Sequence, residues 1–390
     1  MYETLTIVFW VCLALLGWSY LLYPTLVILL ARLLPRQPIP GKLLTDDSLP
    51  AITVVIAAYN EEEEIEWRIE NLLAQDYPAE LLSIIIASDG SSDRTVEFAR
   101  RVQSERVEVR DYAERRGKAN LLNQIIPTIQ TELVAFSDAN TAWEPQVLRL
   151  LALALADPKV GVATGILIIK PAAKREIASQ ETTYGTLENR LRLAESRLGM
   201  ALGAYGSVYA LHKSQFISFP PNTAVDDFYE AMKLAGKGLK TMLIPQARAS
   251  EFSSPSTRGE FRRRVRIGTG DFQNLFRLAR MLLPDKGFLA LAFLSHKALR
   301  WLGPFFILAM WLTSAYLAHT ELDPFWQWCF WLQTGWHGFA ILGWLATLSG
   351  ISKLKVLFLP YYFDLINLAL FIGFFRAIIK SQAAAWRKGR

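Results

Sequence analysis

The chain has 390 residues, 52% of them hydrophobic and 20% charged, with twelve Trp and a net charge of +6. It is too apolar for a wholly water-soluble enzyme and too charged for a transporter, so part should lie in a bilayer and part should fold as a globule. The basic residues gather beside the apolar runs, where anionic headgroups attract them, which points to membrane lipids and away from nucleic acid. Cys12 and Cys329 sit far apart inside apolar segments and predict neither a disulfide nor a thiolate-bound metal.

Residues 4–31 carry no charge and are long enough to cross a hydrocarbon core of about 30 Å as a helix. Glu3 precedes the run and Arg32, Arg36 and Lys42 follow it, the pattern of an uncleaved anchor rather than a secretory signal. The trailing charges place the next domain on the cytoplasmic side and the amino terminus outside. The reading divides the chain into an anchor (1–42), a globular domain (50–255), a basic amphipathic interfacial segment (256–286) and a C-terminal membrane region (287–390).

Within the globular domain, four short strand-like runs each pass into helix-favouring sequence: 52–57 into 61–74, 82–87 into 93–102, 107–110 into 118–126, and 133–136 into 145–156. Such alternation predicts an α/β domain with a Rossmann-like, mostly parallel sheet. Ligands then gather at the loops leaving the strands' carboxyl ends, here 58–62, 88–93, 115–118 and 137–141. Ala58, Tyr59 and Glu61 lie in the first.

Asp89 would project from a strand end, with Gly90 permitting a tight turn; an ordinary helix-capping turn is the alternative. Asp138 and Asn140, spaced by one residue, offer oxygen ligands to Mg2+ or Mn2+, or form a turn with Asn in a left-handed conformation. Arg115, Arg116 and Lys118 around Gly117 suit phosphate oxygens or a solvated face. Asp226 and Asp227 start a helical stretch, where acids favoured by the helix dipole and a proton-accepting base are both possible readings. Residues 204–210, rich in Gly and Tyr, suit either an acceptor cleft or a packed turn.

Arg258, Arg262, Arg263, Arg264 and Arg266 lead into Leu275, Phe276, Leu278, Met281 and Leu282, which predicts an amphipathic helix on the bilayer surface. Residues 301–318 and 326–350 read as an out-and-back hairpin around Glu321 and Asp323. The last apolar stretch, 356–375, contains Pro360 and Asp364 and precedes a basic tail; a full span and a re-entrant or interfacial helix are both compatible with it.

In order, the run from Val54 to Glu61, the Asp89 turn, Gly117-Lys118-Ala119-Asn120, the Asp138 motif, Asp226-Asp227 and Arg263-Arg264-Val265-Arg266 resemble the family 2 glycosyltransferases. The resemblance covers roughly residues 50–271, and the flanking spans are similar to the membrane-integrated branch that includes hyaluronan, cellulose and ceramide-glucose synthases. It implies a GT-A fold and inverting transfer from a nucleoside diphosphate sugar, a UDP-sugar in first place, to a lipid-linked or polysaccharide hydroxyl at a bacterial plasma membrane.

By motif match, Tyr59, Glu61 and Asp89 would hold the nucleobase and ribose. Asp138, with Asn140, would lie beside the diphosphate and a divalent cation. Lys118, Arg263 and Arg266 would face the phosphates, and Asp227 would be the general base with Asp226 before it. Asn140 replaces the second acid of the DxD motif, and Arg263 to Ile267 lacks the Gln and Trp of the processive members' QxxRW motif. A silent sugar-nucleotide binder or export subunit and a tethered nucleotidyltransferase are the competing readings.

Overall fold

The computed structural model describes residues 1–34, 48–170, 176–252, 257–321, 323–349 and 355–379, with backbone alone for 176–184 and 355. Eight strands form one sheet: β1 (Ile52–Ala58), β2 (Leu82–Asp89), β3 (Val107–Tyr112), β4 (Leu133–Ser137), β5 (Ala142–Trp143), β6 (Val160–Lys170), β7 (Tyr209–His212) and β8 (Lys240–Phe252). Their order is β3-β2-β1-β4-β7-β6-β8-β5.

The first four strands pair in parallel, as expected. The runs of β1, β2 and β4 are mostly apolar because both faces are covered, whereas β3, at the sheet's edge, carries Glu108, Arg110 and Asp111 and is partly exposed. Ile52, Val54 and Ile56 of β1, with Ile84 and Ile86 of β2, enter one core that includes the helix Ile65–Leu73. Val55, Ile85 and Phe136 point the other way, to a core that includes the helix Lys118–Ile125. Beyond β4 the sheet becomes mixed: β7 runs antiparallel to β4 and β6, β8 parallel to β6, and β5 antiparallel to β8. Gly165 marks a register break in β6, where a Cβ would come within 2.2 Å of the Ala247 carbonyl oxygen.

The second core does not stop at the globular domain. It takes in Tyr23, Val27 and Ala31 from the amino-terminal helix, Phe272 and Leu275 from the helix Thr257–Arg277, and Phe293, Trp301 and Leu370 from later helices. Spaced four apart, Tyr23, Val27 and Ala31 form one stripe of their helix. The sheet and the apolar helices therefore share one packed interior.

Residues Tyr2–Leu33 form a 32-residue apolar helix, interrupted only by a π-helical turn at Trp18–Leu22, and Val356–Ile379 form a second helix long and apolar enough to cross a membrane. The pair Phe288–Trp301 and Gly303–Thr320, bent by 57°, makes a third if counted as one span. Where the sequence predicts an out-and-back hairpin, two helices follow one another, Gly303–Thr320 and Pro324–Leu348; the second is not among the described helices apolar enough to cross a membrane and is capped by the Asp323 carboxylate, which accepts from Phe325 N at 2.9 Å. The stretch around Pro360 is one continuous helix, Lys355–Ile379.

The helix Thr257–Arg277 packs against this last helix. A Cβ on Gly373 would lie 2.7 Å from the Gly268 carbonyl carbon, and Phe272 meets Phe374 edge-on at 5.1 Å. Arg264 Nη2 donates to the Tyr362 hydroxyl at 2.8 Å. Of the apolar residues expected to face lipid, Leu275 and Leu278 are buried in the shared core and Phe276 remains exposed.

Gly373→Val should force these two backbones apart. Overpacking of this kind typically costs about 1–3 kcal/mol, so the thermal midpoint of the detergent-solubilised protein should fall by several degrees; an unchanged midpoint would show that the contact does not set the helix spacing.

Candidate active site

Because β1, β2 and β4 run parallel, their carboxyl ends open at one edge of the sheet. After β1, Asn60 adopts φ 56°, and its Oδ1 accepts from Ser92 N at 2.9 Å while Glu61 N donates to Thr95 Oγ1 at 2.7 Å. These bonds join the first two predicted loops. Ala58 and Glu61 are buried there. Arg115 lies across the Tyr59 ring, 3.5 Å from its centroid, with Nε and Nη2 buried and without a hydrogen-bond partner.

Asp89 is also buried, and both its oxygens are engaged: Oδ1 accepts from Arg116 N at 2.7 Å and Oδ2 from Gly117 N at 2.8 Å. Gly90, at φ 69°, lets the loop close, since a Cβ there would stand 3.1 Å from Arg115 N. In this arrangement Asp89 fixes the cationic loop from beneath. Gly117, at φ 83°, turns the chain into the helix that begins with Lys118.

Lys118 Nζ donates to Asp138 Oδ1 at 2.9 Å and lies 4.0 Å from Asp226 Oδ2. Burial opposes its charge, but Asp138, Asp226 and Asp227 together hold the ammonium above the ordinary lysine range. Behind Asp138, the fully buried Arg68 donates to Ser137 Oγ at 2.7 Å and to Asn71 and stacks on Trp143. Burial lowers its pKa to about 9, with Asp138 opposing.

Asp226 and Asp227 occupy the first turn of the helix Asp226–Gly236. Asp227 Oδ1 accepts from Phe228 N at 2.8 Å. Gly206 leaves room beside Oδ2, where a Cβ would approach to 3.1 Å. Burial first, then the neighbouring Asp226, raises the Asp227 carboxyl to about 6, against Lys118, the Phe228 N–H and Arg192. One turn on, burial pushes Glu230 well above the carboxylate range; its oxygens accept from Ile217 N and the Tyr209 hydroxyl, both at 3.3 Å.

Two further elements close the site. Arg192 donates to the carbonyls of Leu202 and Gly203 at 3.3 and 3.0 Å and stacks on Tyr205, so the 202–206 loop is held over Asp227. From the helix Thr257–Arg277, Arg266 reaches the Ala224 carbonyl at 3.4 Å, Asn274 the Val225 carbonyl at 2.9 Å and Arg277 the Thr223 hydroxyl at 2.9 Å. Gly270 lets that helix press against Val225, since a Cβ would come within 2.6 Å of its Cγ2. This face therefore positions the loop that delivers Asp226 and Asp227.

The two arginines expected at the phosphates are placed differently. Arg266 faces the carboxylates: burial and Arg263 lower its pKa while Asp138, Asp226 and Asp227 support its charge. Arg263 is held by Glu251 at 3.2 Å and Glu260 at 3.7 Å. Among the described residues, no group of three or more His, Cys, Asp or Glu forms a metal cluster. Asp138 and the exposed Asn140 nevertheless offer the oxygen donors that a hard cation takes, and Asp226 Oδ2, which shares Lys118 with Asp138, is buried without a hydrogen-bond partner. This set suits a cation whose remaining ligands come from a diphosphate.

Arg68, Arg192 and Glu230 were not singled out from the sequence. All three sit mid-helix, where a charged side chain reads as solvent-facing until the fold buries it.

Residues 53–211 match the family described as Glycosyl transferase family 2, and residues 133–373 match Glycosyl transferase family group 2. The poly-beta-1,6-N-acetyl-D-glucosamine synthase of Staphylococcus aureus (strain COL) is 29% identical over 237 residues, 59% of this chain and 57% of that protein. Its namesake from Staphylococcus epidermidis is 25% identical over 232 residues, 58% of this chain and 56% of that one. The chain thus spans just over half the length of these relatives. Among solved structures, a mannosyltransferase from Pyrobaculum calidifontis in complex with GDP-Man and Mn2+ is similar with a TM-score of 0.70, over 96% of this chain and 100% of that one, at 23% identity. That likeness is one of fold.

Asp89→Ala should leave the Arg116 and Gly117 N–H groups without their carboxylate, a loss of about 2–4 kcal/mol for two charge-assisted bonds. Limited trypsin digestion is expected to cut after Arg115 and Arg116 at least tenfold faster than in the parent. Equal cutting rates would remove Asp89 from the role of loop holder.

Proposed function

Because the chain belongs to the family 2 glycosyl transferases, we propose that it is a membrane-bound inverting transferase that passes a sugar from a nucleoside diphosphate donor to an acceptor hydroxyl. The carrying observation is the placement of Asp227: its Oδ2 faces a gap kept open by Gly206, and its affinity for a proton is raised. A carboxylate of raised pKa that stays ionised near neutrality is the stronger general base.

In this reading Asp227 accepts the proton of the acceptor hydroxyl, whose oxygen attacks the anomeric carbon from the face opposite the leaving diphosphate. The negative charge that develops on the diphosphate is met by the cations aimed at it, Lys118 and Arg266. Arg115, with its unengaged donors beside Tyr59, faces the nucleotide end of the donor. Asp138 and Asn140 would hold Mg2+ or Mn2+, which supplies further charge stabilisation when bound. The mannosyltransferase solved with Mn2+ and GDP-Man supports a cation of this kind.

A UDP-sugar is the donor we assign first, since the staphylococcal relatives are named for a polymer of N-acetylglucosamine; GDP-mannose is the natural competitor to test beside it. The charges that follow the first apolar helix, Arg32 among them, support a catalytic domain on the cytoplasmic side.

With purified protein in detergent, a panel of UDP-, GDP- and dTDP-sugars and Mn2+, one donor should yield nucleoside diphosphate. Release of pyrophosphate instead would establish nucleotidyl transfer. Asp227→Asn should lower turnover at least about 100-fold with the donor dissociation constant within twofold; normal turnover rejects Asp227 as the base.

The pH profile supplies a separate check. Asp227 works deprotonated and its pKa is raised to about 6, so kcat/KM should be full above pH 7 and fall as pH drops through 6. An acid limb near pH 4 would mean that an unshifted carboxylate, not Asp227, accepts the proton.

A further inference from the structure

A second set of ionisable groups is carried by elements outside the strand-end motifs. Asp271 lies on the helix Thr257–Arg277, Glu188 on Glu176–Arg197 and Lys297 in the π-helical turn Phe293–Ala298. Lys297 Nζ donates to Glu188 Oε1 at 2.8 Å, and Arg300 Nη1 reaches Glu188 Oε2 at 3.4 Å. Burial opposes the charge of Glu188, but His296, Lys297 and Arg300 hold it well below the carboxylate range.

The inner and outer parts of this cluster differ. His296 is fully buried, its Nδ1 2.9 Å from Glu195 Oε1 and its Nε2 3.0 Å from Glu188 Oε1, and Tyr23 donates to Glu195 at 2.8 Å. These contacts tie the amino-terminal helix to the domain. Glu188 and Lys297, with 14% and 19% of their side chains exposed, are still reachable. Asp271 is half-buried.

The outer groups are linked to the base electrostatically. Glu188 and Lys297 act electrostatically on Tyr205, next to the Gly206 that borders Asp227. Lys297, Asp227, Arg264 and Glu188 all act on Asp271, whose carboxyl burial pushes up to about 7. The helix bearing Lys297 turns Phe288, Leu291 and Leu294 outward, 74%, 42% and 44% exposed, and keeps His296 and Lys297 inward, so the cluster lies where apolar surface meets the domain. π-helical turns recur at functional sites.

We propose that Asp271, Glu188 and Lys297 form the acceptor subsite and bind a neutral, hydroxyl-rich glycosyl end presented at the membrane surface. Adjacent carboxylates and an ammonium offer acceptors and donors suited to neighbouring hydroxyls. Asp227, Asp271 and Glu188 would repel a lipid phosphate, and the charges of Lys297 and Arg300 are already offset by Glu188, so the cluster suits a neutral ligand. The assignment rests on the transferase reading above and specifies its acceptor class.

The test uses the full chain in nanodiscs, with the donor from the panel that wild-type protein turns over. Three acceptors are compared: a soluble N-acetylglucosamine pentasaccharide, monoglucosyl diacylglycerol in the disc, and a polyprenyl phosphate in the disc. Either of the first two should accelerate nucleoside diphosphate release, and which one does so separates a free glycan from a glycolipid. Asp271→Asn and Lys297→Gln should each raise the acceptor KM tenfold or more with donor KM within twofold, and Asp271→Glu should recover part of the loss.

Acceleration by the polyprenyl phosphate alone or by none of the three, an acceptor KM within twofold of wild type in both variants, or equal changes in donor and acceptor KM would each overturn the subsite while leaving the transferase standing. Variants that both fail to fold would make these residues structural and overturn it too. A wild-type protein that releases no nucleoside diphosphate from any donor removes the transferase reading itself.

Discussion

Asp138, Asp226 and Asp227 share one cleft with Lys118 among them, and the rest of the site depends on that cation. Like charges crowded in a poorly solvated site cannot all remain ionised without compensation. Lys118 bonds Asp138 at 2.9 Å and stands 4.0 Å from Asp226, so these two receive most of its field. Asp227 receives less, and its carboxyl is the one that burial and Asp226 drive upward. The location of Lys118 depends in turn on Asp89, which fixes the two N–H groups just before it. A carboxylate with no free oxygen thus governs the electrostatics of three others.

The second dependency runs through the helix Thr257–Arg277. At about 3.6 residues per turn, Arg266, Gly270, Asn274 and Arg277 fall on one face, and Arg264, Gly268 and Phe272 fall about half a turn away. The first face grips the 221–225 loop; the second packs on the helix Lys355–Ile379. One rigid element therefore joins the carboxylates proposed for catalysis to an apolar helix long enough to cross a membrane. The core that merges Tyr23, Val27 and Ala31 with Val55 and Ile85 makes a similar connection at the amino-terminal end.

How much of this was legible in the sequence depended on how locally each feature is encoded. The parallel half of the sheet was legible because its strands are short runs, three of them apolar, closely followed by helices, and the donor-side carboxylates because they stand directly at strand ends. The mixed half was not: β5 has two residues, and β6 and β8 pair across about eighty positions with a register break at Gly165. Asp226 and Asp227 were legible as a pair, but their environment was not, since Arg192 and Arg266 come from helices distant in the chain. Glu188, Asp271 and Lys297 look like solvated charges along helices, and only tertiary packing brings them together.

This difference in encoding coincides with a division of labour. The groups assigned to the donor come mainly from loops at one edge of a continuous sheet, where backbone hydrogen bonding fixes their positions. The groups assigned to the acceptor come from helices that pack on or continue into apolar membrane helices. Asp271 shares the helix Thr257–Arg277 with Arg266, so the element that carries part of the proposed acceptor subsite also carries a cation proposed for the donor. Asp227 stands where the two sets meet, on a helix rooted in the domain but delivered by a loop that the Thr257–Arg277 helix holds. In the proposed reaction the acceptor hydroxyl and the anomeric carbon would therefore meet at the junction of the sheet and the apolar helices.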